Sequence, residues 1–339
     1  MIRRLLIVGS GSAGQRHLRI ARRFLPKAQI RVLKYSKQSK SLSLATGYYF
    51  HPDEAAHFDP QAAIVANPAP FHLETSIKLA SHGCHLLLEK PIAERSKGVE
   101  HLLRMVKKQK VILQVGYNLR FSHSLRSYRK LIKKGAIGRI LSIHAEVGQF
   151  LPSWRPKINY QHTVSAKAKL GGGVLLELSH EIDYLRWIFG EVAWVSAWKG
   201  KVGDLNLDVE DSAKLQMGFA SKSRYSGVIA SLNMDFVRQD PVRFCEATGT
   251  RGTLRWDGIR KKIERYIPKS RKWIKIPIRK ERREESYAEQ FKNFLQCARK
   301  NHKPNVSGTD GLAVLKIVDA AKRSHEKKGL RIPVMSKNN

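Results

Sequence analysis

The sequence predicts an α/β protein in two parts: a doubly wound N-terminal domain on a parallel sheet, then an α+β domain on a large, mostly antiparallel open sheet. Three observations predict it. An apolar run, Leu5 to Val8, enters a glycine-rich turn that opens a helix. Three further apolar strands, before about residue 118, each stop at a turn that carries polar or charged side chains. From Ile140 onward strands cluster in a run instead of alternating with helices, the pattern of an antiparallel sheet with helices on one face.

The first strand, Leu5-Leu6-Ile7-Val8, leads into Gly9-Ser10-Gly11-Ser12-Ala13-Gly14, and Gln15 to Phe24 reads as a helix. That order is a dinucleotide-binding turn: Gly9 turns the chain off the strand, Gly11 lets bare backbone approach a pyrophosphate, and Gly14 lets helix and strand pack closely. The helix start, through Ser12 and Ala13, supplies free N–H groups and a positive dipole end. Met1 to Val8 is basic and apolar like a targeting peptide, but the apolar run is too short for one and is the first strand. The second strand, Ile30 to Leu33, ends in Lys34-Tyr35-Ser36-Lys37, and no Asp or Glu precedes Asp53. An NAD site places an acidic residue about 20 positions after the glycines to bond the ribose 2′-hydroxyl. A hydroxyl at Ser36 with a cation at Lys37 suits a 2′-phosphate instead, so NADP(H) is expected over NAD(H).

Ala62 to Ala66 stops at Asn67-Pro68, His85 to Leu88 at Glu89-Lys90-Pro91, and Val111 to Val115 at Gly116-Tyr117-Asn118. Ligands of open parallel sheets bind off the carboxyl ends of the strands. The glycine motif with His17 behind it, the stretch Asn67-Pro68-Ala69-Pro70-Phe71-His72, and above all Glu89-Lys90-Pro91 resemble the glucose-fructose oxidoreductase, inositol dehydrogenase and MocA (Gfo/Idh/MocA) family, over nearly the whole chain. The resemblance implies a two-domain NAD(P)-dependent oxidoreductase acting on sugars, polyols or related compounds. It implies that Asn67, Pro68, His72, Glu89 and Lys90 serve the cofactor. It also places Lys90 beside the nicotinamide and the reacting hydroxyl, where an ammonium can stabilise developing negative charge.

A second constellation starts at Gly171-Gly172-Gly173 and runs through His180 to Leu185. On one helix, Leu175, Leu178, Ile182, Leu185 and Phe189 form an apolar stripe. His180 falls opposite it, flanked by Glu177 and Asp183 three residues away on either side, so it faces solvent or a cleft. Histidine, with an ordinary pKa of about 6.5, suits proton exchange near neutrality. The resemblance implies that His180 is the proton acceptor or a substrate ligand, with Asp183 as its partner. Many members carry an aspartate four residues before the histidine, where this chain has Leu176. Either Glu177 takes that role, or the contact is absent and Glu177 serves the helix dipole.

The resemblance puts Tyr117, Asn118, Arg120, Trp154, Arg155 and Tyr160 at the junction of cofactor and substrate. An Arg fork clamps phosphate or carboxylate, and an aromatic face stacks on a sugar or base; Trp154 and Tyr160 read equally well as anchors of a long loop. The expected domains are 1–118, binding NAD(P), and 119–339, for substrate and oligomerisation. Within the second, helices are expected at Ser122 to Lys134, Ser286 to Lys300 and Asp310 to Lys327. Strands are expected at Ile140 to Gln149, Ala213 to Phe219, Ser226 to Asn233, Phe244 to Thr248 and Gly252 to Trp256. Family likeness further implies a homodimer or homotetramer formed through the C-terminal sheet, and a sugar or nucleotide-sugar substrate of surface-polysaccharide type.

The chain has 339 residues, 42% of them hydrophobic, enough for two ordinary cores. Cys84, Cys245 and Cys297 have no metal or redox spacing and read as reduced thiols of a cytoplasmic protein. No run is apolar enough for a membrane span. Lys and Arg total 63 against 28 Asp and Glu, a net charge of +35 that attracts polyanions. The densest stretch, Arg260 to Arg283 with Tyr266 and Trp273, has the mixture a nucleic-acid platform uses. Yet Ile263, Trp273, Ile274 and Ile276 read as a hairpin with protective edge lysines, and basic residues are spread along the whole chain. No specific nucleic acid is therefore expected. A catalytically silent NAD(P)-dependent regulator is the alternative from another class, and retention of Lys90 and His180 argues against it.

Overall fold

The computed structural model describes residues 2–35, 42–221, 223–282 and 284–334. The chain folds into two compact units, the first comprising Met1–Asn118 with Glu284–Leu315 and the second Leu119–Arg283 with Lys316–Asn339.

The first unit is a parallel sheet of β1 (Arg4–Val8), β2 (Gln29–Leu33), β3 (Gly47–Tyr49), β4 (Ala62–Val65), β5 (His85–Leu88) and β6 (Leu113–Val115), ordered β3-β2-β1-β4-β5-β6. This is the doubly wound order, with the reversal between β1 and β4 opening a crevice at their carboxyl ends. The strands β1 and β4 are buried on both faces, as near-continuous apolar runs require. Helices α1 (Ser12–Phe24), α2 (Pro52–Ala56), α3 (His72–Ser81) and α4 (Val99–Lys108) fill the crossovers.

The second unit carries α5 (His123–Lys133), β7 (Ile140–Gly148), α6 (Val174–Glu177), α7 (His180–Phe189), β8 (Val192–Gly200), β9 (Ser212–Phe219), β10 (Ile229–Asp235), β11 (Val242–Gly249), β12 (Gly252–Asp257), β13 (Lys262–Ile267) and β14 (Lys272–Ile276). With β15 (Ile332–Pro333) these strands form one sheet, β14-β13-β12-β11-β7-β10-β9-β8-β15, antiparallel except where β10 runs parallel to β7. One face is covered. Ile143, Ala145, Leu215, Leu232, Cys245 and Trp256 on it are buried. Trp256 Nε1 donates to Ser124 Oγ of α5 at 3.0 Å, and Tyr184 of α7 meets the Trp256 ring edge-on at 5.5 Å. The register puts Trp198, Ile229 and Trp273 together on the opposite face, where they are 43%, 38% and 43% exposed.

Two expectations need correction. The segment 119–339 is not one body, because α8 (Glu285–Lys300) returns to the first unit and buries Phe291, Phe294 and Cys297 among Leu5, Ile7, Ile20 and Ile30. The helix α9 (Gly308–Glu326) follows it. Second, the helix expected from Val174 onward breaks at Leu178-Ser179 into α6 and α7. The apolar stripe is buried as expected, but Asp183, expected beside His180 on the polar side, is buried too, as is Glu181. The short α2, the edge strands β3 and β15, and β8 carry weak local patterns and were not individually anticipated. No helix among the described residues is long and apolar enough to cross a membrane.

Candidate active site

The glycine turn is built as its spacing requires. Gly9 has φ +101°, and a Cβ there would lie 2.7 Å from the Ala66 carbonyl oxygen. A Cβ on Gly14 would lie 2.0 Å from the Gly9 carbonyl oxygen, so only glycine lets α1 sit so close to β1. Around Gly11 nothing lies within 4 Å of such an atom, which leaves open space over bare backbone. Gly11 is the N-cap of α1, no side chain caps that end, and its first turn holds no acidic residue. Exposed Ser12 and half-buried Ala13 follow. Orphan N–H groups beside open space, with no carboxylate to repel an anion, fit a dinucleotide pyrophosphate.

At the end of β2 the Lys34 ammonium rests 3.8 Å from the centre of the Tyr48 ring. Ser36 and Lys37 lie outside the described residues. Leu33, Tyr35, Phe71, Glu74 and Thr75 help line a mostly apolar cavity of about 220 Å³. After β4, Asn67 Nδ2 donates to Thr75 Oγ1 at 3.1 Å, and half-buried Pro68 follows in extended conformation.

His72, expected at the cofactor, braces two of the strand-end turns. It is 1% exposed, and its ring nitrogens contact the Pro91 and Asn67 carbonyl oxygens at 2.8 and 2.7 Å. It thus ties together the turns after β4 and β5. Burial pushes its pKa down, against two carbonyls that favour the cation.

Glu89 likewise turns away from open space. Its Oε1 meets His17 Nε2 at 2.7 Å, and its Oε2 accepts the Lys90 backbone N–H at 3.2 Å. Burial raises this carboxyl, but the hydrogen bond from His17 and the charges of His17, Arg16 and Lys90 outweigh it and hold the pKa at about 2, against an ordinary 4.5. The folded value lies below the unfolded one, so the interaction stabilises the fold above about pH 4.5 and is lost as pH falls toward 2. A displacement of that size is worth about 3 kcal/mol. The stability gap between wild type and Glu89→Gln should therefore be widest near neutrality and close between pH 4.5 and 2 in denaturant titrations. A gap independent of pH would contradict this assignment. Lys90 itself is half-buried at the end of β5.

In the second unit, His180 is the first residue of α7 and half-buried, after Ser179, whose hydroxyl donates to the Leu176 carbonyl at 2.8 Å. Burial of the residues behind it, Glu181 to Leu185, fixes its backbone. Asp183 and Arg120, expected to serve His180 and an anionic substrate, are paired with each other. Arg120 Nε and Nη2 donate to the Asp183 carboxylate at 2.9 and 2.6 Å, with both side chains buried. A wholly buried carboxylate needs such a fork. Glu181 Oε1 accepts a single bond from Arg243 Nε at 2.7 Å. Glu177 accepts from the Ser165 hydroxyl at 2.8 Å.

The remaining candidates behave as anchors. Tyr117 is fully buried, and Asn118 Nδ2 donates to Ser286 Oγ at 2.8 Å. Trp154 Nε1 donates to the Gln149 carbonyl at 3.1 Å, and its ring meets Phe236 edge-on. The Tyr160 hydroxyl accepts the Asn206 backbone N–H at 3.2 Å. Arg155 lines a small recess with Trp154 and Tyr160. Sequence reasoning missed the partners Ser165 and Arg243 and gave His17 no role; a charged Glu181 inside an apolar helix was the one available signal.

A glycine turn of this geometry on a doubly wound sheet defines a dinucleotide-binding protein. The chain belongs to the Gfo/Idh/MocA oxidoreductase family: residues 3–117 match its NAD-binding Rossmann fold and residues 129–335 its C-terminal alpha/beta domain. Myo-inositol 2-dehydrogenase of Thermotoga maritima is 26% identical over 281 residues, 79% of this chain and 78% of that protein. 2,7-Anhydro-N-acetylneuraminate hydratase of Mediterraneibacter gnavus is 30% identical over 205 residues, 59% of this chain, and the match spans about half (52%) of that relative. Among solved structures, a levoglucosan dehydrogenase in complex with NADH has a TM-score of 0.84 at 20% identity, covering 98% of this chain and 99% of that one. The WlbA dehydrogenase of Bordetella pertussis, in complex with NADH and UDP-GlcNAcA, has a TM-score of 0.82 at 21% identity, covering 99% of this chain and 100% of that one. These similarities establish the shared fold.

Proposed function

We propose that this protein is an NADP(H)-dependent oxidoreductase that interconverts a hydroxyl and a keto carbon of a sugar, with a nucleotide sugar as the favoured substrate. The observation that carries the reading is the open, uncapped start of α1 at the same sheet end as Lys90. Bound nicotinamide supplies the acceptor or donor of the hydride. Backbone N–H groups from Gly11 to Gly14 hold the pyrophosphate, and the apolar cavity by Tyr35 and Phe71 suits an aromatic base. Lys90 donates a hydrogen bond to the substrate oxygen, and His180 takes the hydroxyl proton in oxidation and returns it in reduction. Asp183 acts through the Arg120 pair by holding α7. Residues 1–118 serve the cofactor, while the sheet of the second unit serves substrate and subunit assembly, for which exposed Trp198, Ile229 and Trp273 support its open face. The nucleotide-sugar preference draws on WlbA, whose complex contains UDP-GlcNAcA.

The NADP(H) preference rests on the lack of any acidic residue before Asp53 and on the cations around Ser36. In fluorescence titrations at near-physiological salt, NADPH is expected to bind about tenfold tighter than NADH, equivalent to about 1.4 kcal/mol. Equal affinities or a preference for NADH would withdraw the 2′-phosphate assignment alone. Failure to bind either would withdraw the cofactor reading.

A further inference from the structure

Three cations converge at the end of α5, and among the described residues no carboxylate pairs with any of them. Arg129 and Lys133 stand one turn apart on that helix, and Arg224 joins them from the turn between β9 and β10. Arg129 Nε donates to the Trp187 carbonyl at 3.2 Å while its guanidinium stacks 4.4 Å over that indole, and Arg224 Nη1 donates to the Lys133 carbonyl at 3.1 Å. A guanidinium has five N–H groups, so most of each fork is left over. Lys133 and Arg224 lie 5.8 and 5.3 Å from the centre of the Tyr225 ring. Tyr225 is 3% exposed and edge-on to Phe189, and its buried hydroxyl has no hydrogen-bond partner among the described residues. Burial raises its pKa while the Arg224 and Arg129 charges act to lower it, so both guanidiniums are within reach of that hydroxyl. Ser223 fixes the turn, donating to the Phe189 carbonyl at 2.9 Å and accepting the Tyr225 backbone N–H at 3.1 Å. Burial, and then the charges of Arg129 and Arg224, push the Lys133 pKa down. Cations at a helix C-terminus serve its dipole, but the dipole asks neither for three of them together nor for an orphaned donor among them. All of these residues belong to the second unit.

We propose that Arg129, Lys133, Arg224 and the Tyr225 hydroxyl form a binding site for a phosphoryl dianion, carried by inorganic phosphate or by a small phosphorylated metabolite. Two forks and an ammonium offer the charge-assisted donors such a group takes, and the hydroxyl adds a neutral one. Like charges held together favour uptake of an anion, because it relieves their repulsion. A carboxylate would bring one charge, whereas a phosphoryl group brings close to two and balances more of the cluster. Lys133 and Arg224 are exposed, so their long side chains are free to part around a ligand, while Ser223 and Phe189 hold Tyr225 in place. None of these residues takes part in the reaction proposed above, and the site stands or falls without it.

The test is fluorine NMR of the full-length protein labelled with fluorotryptophan, whose six indoles give six signals; Trp187→Phe identifies the one beside Arg129. Inorganic phosphate replaces chloride at constant pH and ionic strength. The Trp187 signal is expected to shift saturably, with a Kd of about 1 mM or tighter, while those of exposed Trp198 and Trp273 stay in place. Lys133→Gln and Arg224→Gln, both at exposed positions, should each weaken binding about tenfold. Tyr225→Phe, which removes a hydroxyl and no charge, should weaken it about fivefold. Lys107→Gln combined with Lys108→Gln, which takes two exposed cations from α4, should leave the affinity unchanged. Glycerol phosphate in place of inorganic phosphate separates the two sources: tighter binding identifies a phosphorylated metabolite, equal or weaker binding the free ion, and either supports the site. A Trp187 shift that does not saturate overturns the proposal, as do six signals that move together or an α4 variant that weakens binding as much as Lys133→Gln and Arg224→Gln.

Discussion

Replacing Arg120 by alanine is expected to destabilise the second unit by about 3–5 kcal/mol, because it strands a buried carboxylate without its counterion. Asp183 is 0% exposed, and both of its oxygens accept from the Arg120 guanidinium. The cost comes from leaving the charge unpaired, not from the attraction being large in itself. Arg120→Met combined with Asp183→Leu should therefore stand much closer to wild type than either single change. All six tryptophans lie in the second unit, so intrinsic fluorescence during denaturant unfolding reports on it selectively. A wild-type midpoint for Arg120→Ala would show that the pair is not buried as described. His180, three residues before Asp183 on α7, shares this support, and its function should fall with the same variants.

Lys90→Ala should lower turnover by about 10²–10³-fold, the usual cost of removing one donor aimed at charge that develops in the transition state. The pyrophosphate contacts come from the glycine turn, so NADPH affinity in the same variant should stay within a few-fold of wild type. Lys90→Arg is not expected to rescue, since a bulkier planar fork cannot replace a point ammonium. The measurement is steady-state kinetics on whichever sugar or nucleotide sugar the wild type turns over, beside the NADPH titration. Retained turnover would remove Lys90 from the chemistry, and lost NADPH binding would move it to the cofactor's support.

Much of the fold was legible because its signals are local. Strand β1, the glycine turn and α1 follow from an apolar run meeting residues with special backbone demands, and the structure places α1 from Ser12 to Phe24. The run of strands after Ile140 forms a nine-stranded sheet, because alternation with period two names one buried face without needing a partner. The helix around His180 was half right. Periodicity found the buried stripe, but a pattern of apolar residues does not report that Glu181 and Asp183 are buried with their own arginines.

By itself, the sequence determined the doubly wound half, the position of the glycine turn and of Lys90 at strand ends, and the family to which the chain belongs. Those features depend on short-range steric rules and on hydrophobic period. Only the tertiary structure decided that Arg120 belongs to Asp183, that His17 belongs to Glu89, that His72 braces two turns, and that α8 returns to the first sheet. The first two pairs are 63 and 72 residues apart in the chain. A buried charge requires some partner, but which one reaches it depends on how the elements pack, and no local pattern records that.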